Sequence, residues 1–254
     1  MLILKSNDDI KKMKVAGEIS TGALAVAKET IRPGVSTAQV DNAILKYIIA
    51  RKARPSFLGY LGFPNCTCIS INEEVIHGIP SKKRIIHEGD IVSIDVGAIY
   101  EGFNGDNAYT FAVGEISSEN QKLLDVTKEC LFKAISVALP DNRIGDIGET
   151  VESYAKQNGF SVVKAYSGHG LGKKLHEDPS VPNFREDGPN PRIRKGMTIA
   201  IEPMINMGIG DIEVLKDRWT VVTKDGMNSA HFEMSIAITD GEPIILTDWR
   251  EVLE

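Results

Sequence analysis

The order of patterns along this chain constrains its fold more than any single motif. Residues 7–31, NDDIKKMKVAGEISTGALAVAKETI, place apolar side chains at Ile10, Met13, Val15, Ile19, Leu24 and Val26 behind Asn7 or Asp8 as an expected cap, so they predict a helix. Arg32-Pro33-Gly34 breaks it, and STAQVDNAILKYIIARKA, capped by Ser36 or Thr37, predicts a second. Strand-like runs follow at 66–71 (CTCISI) and 90–114 (DIVSIDVGAIYEGFNGDNAYTFAVG). The order then recurs: a helix over 118–139, the breaker PDNRIG, a helix over 146–160, the connecting segment SVVKAYSGHG, and strands in GMTIAIEPMI, RWTVVT and SAHFEMSIAIT, with Asp225-Gly226 marking a turn. The reading is α+β: one domain over residues 1–254, made of two halves, roughly 1–115 and 116–254, whose antiparallel strands join into one sheet.

Composition excludes several classes. The formal net charge of −6 leaves no basic footprint for nucleic acid. MLILKSNDDI reads neither as a signal peptide nor as a membrane span. Three cysteines, Cys66, Cys68 and Cys130, make no disulfide framework, and a cytoplasmic location is expected.

The informative residues are acids where acids do not belong. In VSIDVGAIYEGFNGDNAYTF, the strand-like arms flank a turn near Tyr100–Gly102. Asp95 and Asp106 then share a face of the hairpin, directly opposite or diagonal according to where the turn centres. Like charges so placed destabilise a hairpin, and a carboxylate beside Val92, Ile94 and Val96 is costly unless compensated. Glu202 interrupts the apolar run MTIAIEPMI, and Glu233 interrupts HFEMSIAIT. Four negative charges on Asp95, Asp106, Glu202 and Glu233 match the four positive charges of two divalent cations. Oxygen-rich donors with one imidazole suit Mn, Fe, Co or Zn. Two such ions ~3.5–4 Å apart can activate a bridging water as a nucleophile.

The segment AYSGHGLGKKLHEDP carries His169 and His176 among Gly168, Gly170 and Gly172. Each glycine costs a helix roughly 1 kcal/mol relative to alanine, so a loop is expected here rather than a helix, with the glycines letting the backbone turn sharply or approach something closely. His169 is the candidate ligand; His176 is placed one step out, toward a substrate. HExxH, Walker A and GxSxG are all absent, and Cys66-x-Cys68 lacks partner cysteines at zinc spacing.

Taken together, CISINEEVIHGIP, GDIVSIDVGAIYEGFNGD, YSGHGLGKKLHEDPSVPNF, GMTIAIEPMI and AHFEMSI resemble the methionine aminopeptidases of the short bacterial type I form, over nearly the whole chain. The resemblance implies the pita-bread fold, a pseudo-twofold pair of αβ halves around one antiparallel sheet. It implies removal of N-terminal methionine before a small second residue, by attack of a water or hydroxide bridging two divalent metal ions. Asp95 would chelate one ion, His169 and Glu202 the other, and Asp106 and Glu233 would bridge them. Glu202 would also handle the proton of the attacking water. His176 would hydrogen-bond the scissile carbonyl or amide, and His77 would face the substrate amide nitrogen. Tyr60, Phe63, Cys68 and Trp219 would wall the methionine pocket, where aromatics and a soft sulfur suit a thioether. Methionyl peptides and nascent chains would be the partners, with ribosome docking and a monomeric state as family expectations.

Leu175 stands where the family usually has Phe, Asn107 where Thr or Ser follows the bridging Asp, and His231 and Met234 where Gln and His flank the bridging Glu. Strand alternation turns His231 toward the metals and Met234 away. An imidazole titrating near about 6.5 would then weaken metal binding in acid. The rival readings are another pita-bread peptidase, such as a prolidase with its separate N-terminal domain, for which this chain has no room, or a non-catalytic binding protein on the same fold.

Overall fold

The computed structural model of the chain describes residues 2–253. Its first half runs α1 (Asn7–Thr30), α2 (Thr37–Ala50), β1 (Arg54–Pro55), β2 (Thr67–Ile71), β3 (Glu74–Ile76), β4 (Ile91–Tyr100) and β5 (Phe103–Ala112). The second runs α3 (Ser118–Val137), α4 (Ile144–Gln157), β6 (Ser161–Val162), β7 (Ser167–Gly170), β8 (Glu177–Pro182), β9 (Thr198–Ile201), β10 (Met204–Asn206), β11 (Ile212–Val214), β12 (Val221–Thr223), β13 (Ser229–His231), β14 (Glu233–Ala237), β15 (Ile244–Ile245) and α5 (Arg250–Leu253). A helix pair followed by strands therefore occurs in both, as the pattern predicts.

The cap of α1 lies one residue earlier than Asn7. Ser6 accepts the Asp9 N–H at 3.2 Å while the Asp9 carboxylate accepts the Ser6 N–H at 3.0 Å, so an acid three residues on selects Ser6 among its polar neighbours. For α2 the expected Ser36 holds, its N–H donating to the Gln39 side chain at 2.9 Å.

A nine-stranded antiparallel sheet runs in the order β1-β4-β5-β14-β9-β7-β8, with β2 added on β4 and β15 on β14. The β5–β14 seam, pairing Ala108 with Glu233, joins the strands of the two halves. Behind it the apolar faces of α1 to α4 close one large core, from Leu24 and Ile44 to Leu131 and Val151. Trp249 anchors that core: fully buried, it donates its indole N–H to the Glu233 carbonyl at 3.0 Å and fixes β14 from behind.

Three local features differ from the sequence reading. GMTIAIEPMI is not one strand: β9 stops before Glu202-Pro203 and β10 restarts beyond it, in a separate sheet with β13 and β6. Proline has no N–H for the ladder, so the main sheet ends there. RWTVVT pairs with β11 and β3, not with its neighbour across Asp225-Gly226. And SGHG is a strand, β7, not a loop. A Cβ on Gly168 would fall 2.4 Å from the Ala200 carbonyl oxygen, and one on Gly170 2.2 Å from that of Asp178, so the glycines permit the close approach expected of them, here between packed strands.

Candidate metal centre and active site

The turn between β4 and β5 sets the relation of the first two acids. Glu101 and Gly102 both have positive φ, 46° and 81°, and Tyr100 pairs with Phe103. A two-residue turn of this kind fixes register. Asp95 then faces Ala108 and Asp106 faces Gly97, which makes the acids diagonal neighbours on one face. Across the seam Ala108 also faces Glu233, so Asp95, Ala108 and Glu233 form a row with Asp106 beside it. His169 faces Ala200, and Glu202 lies two residues beyond Ala200 at the break after β9. The five predicted ligands therefore meet on one face of the sheet, from four strands and one strand end.

His169 Nε2 lies 3.6 Å from Glu202 Oε1 and 3.8 Å from Asp106 Oδ2. Donor atoms of Asp106, His169 and Glu233 all fall within 4.8 Å of one another. Two donors each about 2.1 Å from a shared ion stand roughly 3–3.5 Å apart, so only a small contraction separates these atoms from a coordination sphere. His169 Nδ1 is 2.9 Å from the Gly170 carbonyl, which accepts its N–H. That fixes the tautomer and leaves the Nε2 lone pair toward the acids.

Electrostatics supplies the test of whether cations fit. Burial pushes the Asp106 carboxyl up to about 7. Burial, then the charge of Asp106, pushes Glu202 well up; burial and the neighbouring acids do the same to Asp95 and Glu233. Burial first, and His176 second, hold His169 down at about 3, so it stays neutral and forms no ion pair with the acids. Asp95 Oδ1, Asp106 Oδ1 and Glu233 Oε1 are buried with no hydrogen-bond partner among the described residues. Neutral imidazole, orphaned carboxylate oxygens and unbalanced negative charge are what divalent cations satisfy, so the donor set fits them.

Above this floor lies a cavity of about 280 Å³. Phe57, Phe63, Cys68 and Leu175 form one apolar cluster of its wall, with Tyr60 and Trp219 packed against them. The expected wall residues Tyr60, Phe63, Cys68 and Trp219 all line the cavity. Leu175 joins them, so this departure acts on pocket shape. Phe57, Leu61, Ile76 and Tyr166 also line it and escape the sequence reading, because an aromatic or aliphatic residue in a strand or turn carries no signal of what it faces.

His77 follows β3 with φ +59°, a left-handed conformation that is costly outside glycine and clusters at functional sites. Its ring stands between Tyr166 and Trp219, with centroids at 5.5 and 6.2 Å. Burial, and then His176, holds it at about 4. His176 is exposed at the cavity mouth; its Nδ1 lies 2.6 Å from the Tyr60 hydroxyl and its ring centroid 4.2 Å from that of His169. With the phenol donating, His176 keeps its proton on Nε2.

The remaining departures divide. Asn107 points away from the acids, as alternation from Asp106 requires; its side chain donates to Thr21 of α1 at 3.1 Å. Met234 is wholly buried in the core. His231 turns toward the centre, with Nε2 3.9 Å from Glu202 Oε2. Burial, then His77, holds it at about 3, which overturns the expected titration near 6.5.

Comparisons with known proteins agree with this geometry. The model of metallopeptidase family M24 matches residues 11–240. The methionine aminopeptidase of Clostridium acetobutylicum is 48% identical over 97% of this chain and 99% of its own length. Methionine aminopeptidase 1 of Bacillus subtilis is 44% identical over 97% and 99%. The crystal structure of the Thermotoga maritima methionine aminopeptidase superimposes with a TM-score of 0.95 at 43% identity, covering 97% of this chain and 99% of that one. The prolidase of Pyrococcus horikoshii matches less closely, with a TM-score of 0.79, 27% identity and 64% of its chain covered. Four acids, of which Asp106 and Glu233 are buried, and one neutral histidine meet in a chain that matches the family model over residues 11–240 and these relatives over nearly its whole length, which leads to one conclusion: the chain belongs to metallopeptidase family M24 and, within it, to the methionine aminopeptidases.

Proposed function

We propose that this chain removes N-terminal methionine from peptides and nascent proteins whose second residue is small, using two divalent ions from among Co, Mn, Fe and Zn. The observation that carries the reading is the convergence of Asp95, Asp106, His169, Glu202 and Glu233 on one sheet face beneath an apolar cavity. Asp95 would hold one ion, His169 and Glu202 the other, and Asp106 and Glu233 both. Residues 1–254 act as one catalytic unit in this reading: the half 1–115 supplies two ligands and the half 116–254 supplies three.

When bound, such a pair of ions supplies an acidified water and polarises a carbonyl. The protein's own groups do the rest. The apolar wall takes the methionine side chain and excludes water from it. Glu202, whose proton affinity is raised by burial, is suited to accept a proton from the attacking water. His176, with Nδ1 engaged by Tyr60, presents an Nε2–H to the scissile carbonyl. His77, neutral and set between Tyr166 and Trp219, orients the substrate amide nitrogen and assists protonation of the leaving amine.

A peptide panel tests this directly. Met-Gly, Met-Ala and Met-Ser peptides are cleaved by the metal-loaded protein, and Met-Lys and Met-Leu peptides poorly. Equal rates for small and large second residues would overturn the size rule, and no cleavage of any would overturn the reading.

A further inference from the structure

His176 is exposed at the mouth of the cavity, so packing alone does not hold its ring. Tyr60 and His169 orient the ring, but its backbone is set by the loop between β7 and β8, and that loop rests on a buried ion pair from the far end of the sequence. Lys5 Nζ lies 2.6 Å from Glu177 Oε2, and both side chains are only 4% exposed. Glu177 is the chain neighbour of His176 and the first residue of β8. Its other oxygen accepts the Lys174 N–H at 3.1 Å, and the Lys5 ammonium also donates to the Ile3 carbonyl at 3.0 Å. A Cβ on Gly172 would sit 2.5 Å from Lys5 Cε and 2.8 Å from Glu177 Oε1, so the loop lies directly on the pair. On its other side Asn104 clamps the Gly172 carbonyl through its backbone and side-chain N–H groups, at 2.8 and 3.0 Å.

The pair is not needed merely to attach the N-terminal segment. The Lys5 backbone N–H already donates to the Gly196 carbonyl at 2.7 Å. Apolar residues of similar volume often match or exceed a buried ion pair in stability. What the pair adds is geometry: a fixed ammonium tied to Glu177 leaves the adjacent His176 backbone little freedom.

We propose that Lys5 is a positioning residue for His176, acting through Glu177 to hold the imidazole where the scissile carbonyl is bound. The proposal rests on the reading of His176 as a substrate-facing group. Lys5→Met, which keeps the stem and removes the charge, and Lys5→Arg, which keeps the charge, are compared with the parent as full-length, metal-loaded proteins. Turnover of a Met-Ala-Ser peptide, metal content, thermal midpoint and the 15N signals of the His176 ring are measured. Lys5→Met is expected to retain its metals and to fold with a lowered thermal midpoint, because Glu177 is left buried and unpaired, to lose about 10–100-fold in kcat of the folded protein with little change in KM, and to shift or broaden the His176 signals; Lys5→Arg recovers much of the kcat. Parental kcat in Lys5→Met, or a loss that follows the unfolded fraction while the His176 signals stay put, would overturn the proposal. If Lys5→Met does not fold, Glu177→Gln must show the same kcat loss and ring shift, and an unchanged kcat or ring there overturns it equally. An inactive parent would instead count against the aminopeptidase reading, and the ring signals would still decide the link from Lys5 to His176.

Discussion

At the floor of the cavity, Asp95, Asp106, Glu202 and Glu233 crowd together, and three of their oxygens have no partner among the described residues. In the wall above, Phe57, Phe63, Cys68 and Leu175 pack as a small apolar core of their own. The wall gains stability from its burial, as any apolar cluster does. The floor loses stability by its burial, because carboxyl groups leave water without a hydrogen-bond partner or a balancing charge. A region that folding alone disfavours is maintained for a ligand, whereas a region that folding favours can also serve a ligand through its shape. Changes at the floor should therefore abolish function, and changes in the wall should redirect it.

The largest effect is expected at Asp106 and Glu233, the proposed shared ligands. Asp106→Ala and Glu233→Ala should lose metal and activity together, while retaining the fold, since each removes a disfavoured charge as well as a donor. Metal analysis beside peptide hydrolysis checks this. A variant stripped of metal yet fully active would break the contrast at once.

Between floor and wall stand His77 and His176, the imidazoles proposed to face the substrate. His77→Ala and His176→Ala should keep their metals and lose about 10²–10⁴-fold in turnover, the usual contribution of a positioned acid–base group. Loss of metal from either would move it to the floor.

A smaller effect is expected in the wall. Leu175→Phe narrows the pocket, so cleavage of norleucyl and leucyl substrates should fall relative to methionyl ones by roughly tenfold, the scale on which an apolar pocket senses a methylene. An unchanged ratio in competition assays would show that Leu175 does not shape selectivity.

The smallest effect sharpens the electrostatic side. Cations must displace protons from carboxyls that burial has raised, Asp106 to about 7. Metal affinity should thus fall as pH falls through about 7, where Asp106 takes up its proton. His231, held at about 3, stays neutral throughout, so His231→Gln should leave the midpoint unmoved. Calorimetric titration of the metal-free proteins with Mn(II) at a series of pH values tests both statements; a midpoint that moves in His231→Gln would return the titration to that histidine.

Several features were legible because their signals are local. Helix periods, the Pro-Gly breaks and the single acids inside apolar strands are covalent facts of short segments, and they predict the twofold order and the four acids that meet on the sheet face, with His169 supplied by the glycine-rich segment. The shared face of Asp95 and Asp106 was legible too, since strand alternation is local, but their diagonal relation waited on the positive φ of Glu101 and Gly102. The alternation of β13 and β14 likewise turned His231 inward without revealing its burial, and with it the depressed proton affinity.

Sequence by itself determined which residue types lie in which elements, and through its motifs the family to which they belong. Only the tertiary structure decided that β7 is a strand wedged between β9 and β8, that Tyr60 engages His176, that Asn107 faces α1, and that Lys5 reaches Glu177 across 172 positions of chain. Each of these depends on close approach between segments distant in sequence. Such approach is set by packing and desolvation summed over the whole core, and no local stretch of residues encodes that sum.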